Sequence, residues 1–169
     1  MAGEKFLKHD ANGNLQEIVS VQVGGAPNAE KLPSLDAAGR LDITMMPTGL
    51  GSDTAVLPCL GDLAAGDFVN VFDNGGAFTV RKADASSVAT AAHGFVLDAV
   101  LDGGNATVYF EGTNTAVLGM SPGSVYLSTT AGVGANAAPT GSGQIVQKIG
   151  IAVAVDQMNF EAANPIILA

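Results

Sequence analysis

The chain has 169 residues, 47% of them hydrophobic and only 14% charged, with 22 glycines, no tryptophan and a net charge of −9. That is too apolar for a disordered chain, and the acidic surplus repels phosphate backbones, so no nucleic-acid partner is expected. Cys59 is the single cysteine and allows no intrachain disulfide.

Residues 1–55 have the character of an extended N-terminal arm. MAGEKFLKHD, at the start, lacks an apolar signal core. Asp10-Ala11-Asn12-Gly13-Asn14-Leu15 returns as Asp36-Ala37-Ala38-Gly39-Arg40-Leu41, a D-A-x-G-x-L repeat. In each copy Asp opens a turn and Gly supplies a positive φ. QEIVSVQV (16–23) alternates like one exposed strand. Pro33 and Pro47 bias the residues before them toward extended backbone. Along the stretch KLPSLDAAGRLDITMMP lie Leu32, Leu35, Leu41, Ile43, Met45 and Met46. An arm builds no core of its own, so these six must bury against the body or against a neighbouring subunit or partner. Methionine suits irregular grooves. The six form the predicted contact site.

Residues 56–169 read as a β-rich body. DFVNVF (67–72) and AFTVRK (77–82) flank Asp73-Asn74-Gly75-Gly76, a strong hairpin signal. GFVLDAV (94–100) and ATVYFEG (106–112) flank LDGGN. SVYLSTT (124–130) precedes a Gly/Ala-rich loop over 131–143. IVQKIGIAVAV (145–155) and MNFEA (158–162) flank Asp156-Gln157, and PIILA ends the chain. Eight or nine short strands are expected. DASSVATAAH (84–93) lacks an apolar stripe and reads as a loop or a single helical turn. A weak longer repeat aligns Gly66-Asp67-Phe68-Val69 with Gly123-Ser124-Val125-Tyr126, and Gly94-Phe95-Val96 with Gly150-Ile151-Ala152. Each half would be one sheet or half-barrel. No apolar run is long enough to span a bilayer. The fold class is therefore mainly β, a small β-barrel or β-sandwich body with an extended arm, in a soluble protein made in a cytoplasm.

Signals of catalysis are weak. The P-loop, the serine elbow and the H-E-x-x-H pattern are all missing. His9 and His93 are far apart and, with one cysteine, make a poor metal set. Asp62, Asp67, Asp73, Asp84, Asp98 and Asp102 fall at turns or strand ends, where turn chemistry accounts for them. No enzyme activity, cofactor or metal is expected. An enzyme such as a hydrolase is a further reading, which a buried carboxylate with a raised pKa would support.

The run LDAAGRLDITMMPTGLGSDTA, with the later phrases AGDFVNVF, VRKADAS, AHGFVLDAV, ATVYFEGTNTAV and NFEAANPIILA, resembles small capsid decoration, or cement, proteins of tailed bacteriophages. The resemblance covers residues 31–169. It implies a β-rich body with an extended arm, a homotrimer on the outer surface of the virion head, and a role in stabilising the capsid by bridging subunits of the major capsid protein. Synthesis would be in the host bacterial cytoplasm. L-D-x-x-G-x-L-D runs also occur in phage tail-fibre linkers, so the alternative is a tail-fibre or tail-tip component that attaches to a host surface.

Overall fold

The computed structural model describes residues 5–29, 31–46 and 53–169. The chain divides into two units, Met1–Gly51 and Ser52–Ala169. The protein is mainly β, as the alternation and turn signals predict.

In the first unit, β1 (Lys5–His9) pairs antiparallel with β2 (Leu15–Val19), from Lys5 opposite Val19 to His9 opposite Leu15. The D-A-x-G-x-L motif makes the turn between them. Asp10 Oδ1 accepts from the N–H groups of Asn12 at 2.9 Å and Asn14 at 2.8 Å, and Gly13 sits at φ 83°. The second copy repeats this bond for bond. Asp36 Oδ1 accepts from Ala38 N–H at 2.8 Å and Arg40 N–H at 2.9 Å, with Gly39 at φ 75°. Glycine takes such a φ without strain.

Among the described residues, no ladder grows from the second turn. Pro33 has no N–H to give a ladder and meets Val21 in one parallel bridge, and beyond the turn Asp42 caps a 3-10 turn over Ile43–Met45. The segment read as an extended arm is instead folded back on itself. Val21 N–H donates to Leu32 O at 3.0 Å, Ser34 N–H to Val21 O at 2.8 Å, and Gly24 N–H to Thr44 Oγ1 at 2.7 Å. Of QEIVSVQV, read as one exposed strand, Gln16–Val19 belong to the mostly exposed β2, and the pairing stops at Val19. Met46, the residue before Pro47, is extended at φ −89° and ψ 149°, as the proline predicts. No described residue of this unit is buried, so hydrogen bonds rather than a core give it shape.

The second unit contains β3 (Thr54–Pro58), β4 (Phe68–Asn74), β5 (Ala77–Lys82), β6 (Gly94–Val96) and β7 (Asn105–Tyr109). These form a five-stranded antiparallel sheet in the order β3-β7-β6-β4-β5. β3 begins at Thr54, so the boundary read after residue 55 cuts its first strand. After them come β8 (Gly112–Asn114), β9 (Gly123–Leu127), β10 (Gly134–Ala135), β11 (Ile145–Val146), β12 (Lys148–Ala154), β13 (Gln157–Phe160) and β14 (Ile166–Ile167). A second five-stranded sheet runs β8-β13-β12-β9-β10, and β11 pairs with β14 outside it. The segment 84–93 carries a single 3-10 turn, Val88–Thr90.

The two sheets are the same sheet built twice. Taken in chain order, the first, fifth, fourth, second and third strands lie side by side in both. The registers agree as well. Val69 opposite Gly94 corresponds to Val125 opposite Gly150, and Phe68 opposite Phe95 to Ser124 opposite Ile151. Tyr109 opposite Phe95 corresponds to Asn159 opposite Ile151, Val80 opposite Val71 to Gly134 opposite Leu127, and Ala55 opposite Val108 to Asn114 opposite Met158. Gly94 and Gly150 do the same work, since a Cβ on either would run into a carbonyl oxygen, that of Tyr109 or that of Asn159. The weak repeat in the sequence thus reflects a duplicated module, with one correction: Gly94-Phe95-Val96 does match Gly150-Ile151-Ala152, but Phe68-Val69 matches Ser124-Val125, one residue off the alignment of Gly66 with Gly123.

In the first module the edges β3 and β5 come together at one end, where Cys59 bridges Val80 and Leu60 N–H donates to Val80 O at 2.8 Å. One bridge is not a ladder, so this sheet is curled rather than closed. Inside the curl lie Cys59, Leu63, Val69, Val80, Val96, Ala106 and Val108. Because side chains alternate along a strand, Phe68 and Phe95 point the other way, into a larger core with Val125, Leu127, Ile149, Met158 and Phe160 of the second module. The ring of Phe160 lies 5.9 Å from that of Phe68 and 5.5 Å from that of Phe95. The modules also share buried polar bonds. Gln147 accepts from Ala92 N–H at 2.8 Å and donates to Ala92 O at 2.9 Å and Ala163 O at 3.1 Å. Asn114 Nδ2 donates to Gly66 O at 3.0 Å.

Candidate functional site

The six predicted contact residues all lie in the first unit, around the second D-A-x-G-x-L turn. Leu35 and Leu41 stand on either side of that turn, which the Asp36 N–H to Arg40 O bond closes at 2.8 Å. Their side chains are 56% and 42% exposed, and Ile43 is 62% exposed. Leu32 and Met46 are exposed too. Met45 differs, being half-buried where it lines a hollow with Val21, Pro33 and Thr44. Five of the six therefore form unpartnered apolar surface within this unit, and the sixth helps shape it.

The hairpin adds exposed apolar residues that the sequence reading did not single out. Leu7, Leu15 and Val19 lie on one face of β1 and β2 and are exposed, beside a Lys5–Glu17 ion pair of 2.6 Å. The available signal was the repeat itself, because Leu15 holds the same place after its turn as Leu41 does after the second.

The turn aspartates are held ionised by their own loops. Asp10 titrates below its ordinary range chiefly because it accepts from the Asn14 N–H. Asp36 does so chiefly through the Arg40 N–H, and Asp42 through the Thr44 hydroxyl. In the body, Asp73 accepts from Gly76 N–H at 2.6 Å and Asp102 from Gly61 N–H at 2.6 Å. Asp62 accepts from Asp102 N–H at 2.9 Å. Asp67 binds Ala64 N–H at 2.7 Å and the Lys82 ammonium at 2.9 Å. These carboxylates fold turns, in line with the sequence reading.

His93 continues the line of β6 by one residue. Its Nδ1 accepts from Val71 N–H at 3.0 Å, and its own N–H donates to Val69 O at 2.8 Å. Burial holds the imidazole below its ordinary pKa. Accepting the Val71 N–H requires an unprotonated nitrogen, so the ring closes the end of the β4–β6 pairing only when neutral.

Among the described residues, no three of His, Cys, Asp and Glu gather as metal ligands, and no helix is long and apolar enough to cross a membrane. The fold and surface thus define a mainly β chain with a duplicated body and an N-terminal unit that has no buried residue among those described and displays leucines. Comparison with protein-family models, curated proteins and solved structures finds no match for it.

Proposed function

We propose that this chain is a virion structural protein. It decorates the outer surface of a tailed-phage head and stabilises the capsid by bridging subunits of the major capsid protein, itself assembled as a homotrimer. The observation that carries this reading is the first unit. It has no buried residue among those described, yet it displays Leu32, Leu35, Leu41, Ile43 and Met46. Apolar surface of that kind gains free energy when a partner covers it, at about 25 cal/mol per Å². Many copies of a modest contact on a repeating shell add up through multivalency. The phrase-level resemblance over residues 31–169 supplies the partner class.

The test is stoichiometry in purified virions, measured by quantitative mass spectrometry against the major capsid protein. The expected result is a copy number comparable to that of the capsid protein. A handful of copies per particle would instead favour the tail-fibre or tail-tip reading, which the paired D-A-x-G-x-L turns support.

A further inference from the structure

The duplication exposes a vacancy on the body. In the first module, the face carrying Phe68, Phe95 and Tyr109 is covered, and the Phe160 ring of the second module rests on it. The corresponding face of the second module carries Ser124, Ile151 and Asn159, all exposed. A groove of about 230 Å³ lies there, lined by Lys148, Gly150, Ile151, Asn159, Glu161 and Ala163. Gly150, Ile151 and Asn159 are the counterparts of Gly94, Phe95 and Tyr109. The groove therefore occupies the place where the first module receives a phenylalanine.

A matching ring stands elsewhere on the same surface. Phe78, on β5 beside the β4–β5 turn, is 76% exposed and is the one exposed aromatic side chain among the described residues. Asp73 lies directly opposite it in the hairpin. The tip thus presents one apolar ring with one carboxylate beside it. The groove presents an apolar floor at Gly150 and Ile151 with one ammonium beside it, Lys148, which has no ion-pair partner among the described residues. Glu161, which also lines the groove, is exposed.

We propose that the groove on the outer face of the second module receives the Phe78 hairpin tip of a second copy of this chain, with Asp73 of that copy set against Lys148. The two patches differ, so the contact is heterologous, and repetition gives a ring if the rotation closes or a filament if it does not. It involves the body alone and holds or fails whatever the first unit binds.

Sedimentation velocity of the full chain over a concentration series tests it. The expected result is concentration-dependent association that Phe78→Ala and Ile151→Asp each weaken by about tenfold or more, as loss of an anchor does. The double variant should lose little beyond either single one, because both break the same contact. Asp73→Lys and Lys148→Asp should each weaken association, and their combination should restore part of it. Phe78→Ala leaves the core untouched and keeps the test valid if Ile151→Asp unfolds. A chain that stays monomeric throughout, or an assembly that Phe78→Ala leaves unchanged, overturns the proposal.

Discussion

The two modules of the body share strand order and register, yet one outer face is buried and the other is exposed. Phe68, Phe95 and Tyr109 line the first, and Ser124, Ile151 and Asn159 the second. Register in this sheet therefore does not depend on what that face is made of. It follows from features the copies share: the glycine that lets β6 or β12 approach its neighbour, and the inward residues Val69 and Val125, Val96 and Ala152, Val108 and Met158. The outward positions were free to become core in one copy and surface in the other. A repeat stack ends in this way, with a more polar outer face on its last member.

Equivalent substitutions sharpen the comparison, beginning where the largest effect is expected. Phe95→Ala removes a ring buried between the modules and should destabilise the protein by about 3–5 kcal/mol. Its counterpart Ile151→Ala, on the exposed face, should shift the stability of the monomer by roughly 0.5 kcal/mol or less. Chemical denaturation of the two variants reads the difference, and equal losses would mean that the two faces are not in opposite environments.

Gly94→Ala and Gly150→Ala should both destabilise the protein, Gly150→Ala the more, because Gly150 also sits at φ 148°, which residues with a side chain rarely adopt. Each pushes a Cβ against a carbonyl of the adjacent strand, and each should lower stability by about 1–3 kcal/mol, the range for overpacking. A large effect at one and none at the other would break the equivalence of the modules.

His93 has no histidine counterpart in the second module, so its titration acts on the first module. Its native pKa is lowered by burial from an ordinary value of 6.5. The unfolded chain then binds the proton more readily, and the stability this group contributes is full above 6.5 and lost as pH falls through the lowered native value. The Val71 bond is exposed to solvent, so breaking it should cost only about 0.5 kcal/mol, the low end for a hydrogen bond. Thermal unfolding followed downward from neutral pH should show this slope, and His93→Ala should remove it.

The smallest stability effect is expected from removing residues 1–51. Every residue of both cores belongs to Ser52–Ala169, so the melting temperature of the body should hold. Binding to capsids is where the truncation should show, as a loss. A truncated chain that bound as tightly as the whole one would remove the first unit from the proposed function.

Hairpins were legible where the turn chemistry was strong, as at Asp73-Asn74-Gly75-Gly76 between β4 and β5. β8 and β10 were not, because three residues with a glycine, or two with a glycine, carry no alternation. β6 stops at Val96, well short of the apolar run to Val100, because pairing with β4 and β7 ends there and no hydrophobicity pattern marks that point. The duplication showed only as two short matches, one of them a residue out of register. Loops of different length separate the corresponding strands, and the outward residues have diverged. At the candidate site the exposed leucines were legible as apolar residues in a polar context. The folding back of that segment was not, since it rests on backbone bonds such as Val21 N–H to Leu32 O, which leave little trace in residue type.

The Phe160 ring also sets an order of events during synthesis. The first module is complete in sequence at Tyr109, and its strands pair locally enough to form as they leave the ribosome. Its aromatic face then waits, uncovered, until Phe160 has been translated. Nascent chains in that interval carry an exposed sticky surface that the finished protein lacks, the kind of transient species that aggregates. Slowing translation between β7 and β13 should therefore reduce the yield of soluble protein while leaving the stability of the molecules that do fold unchanged.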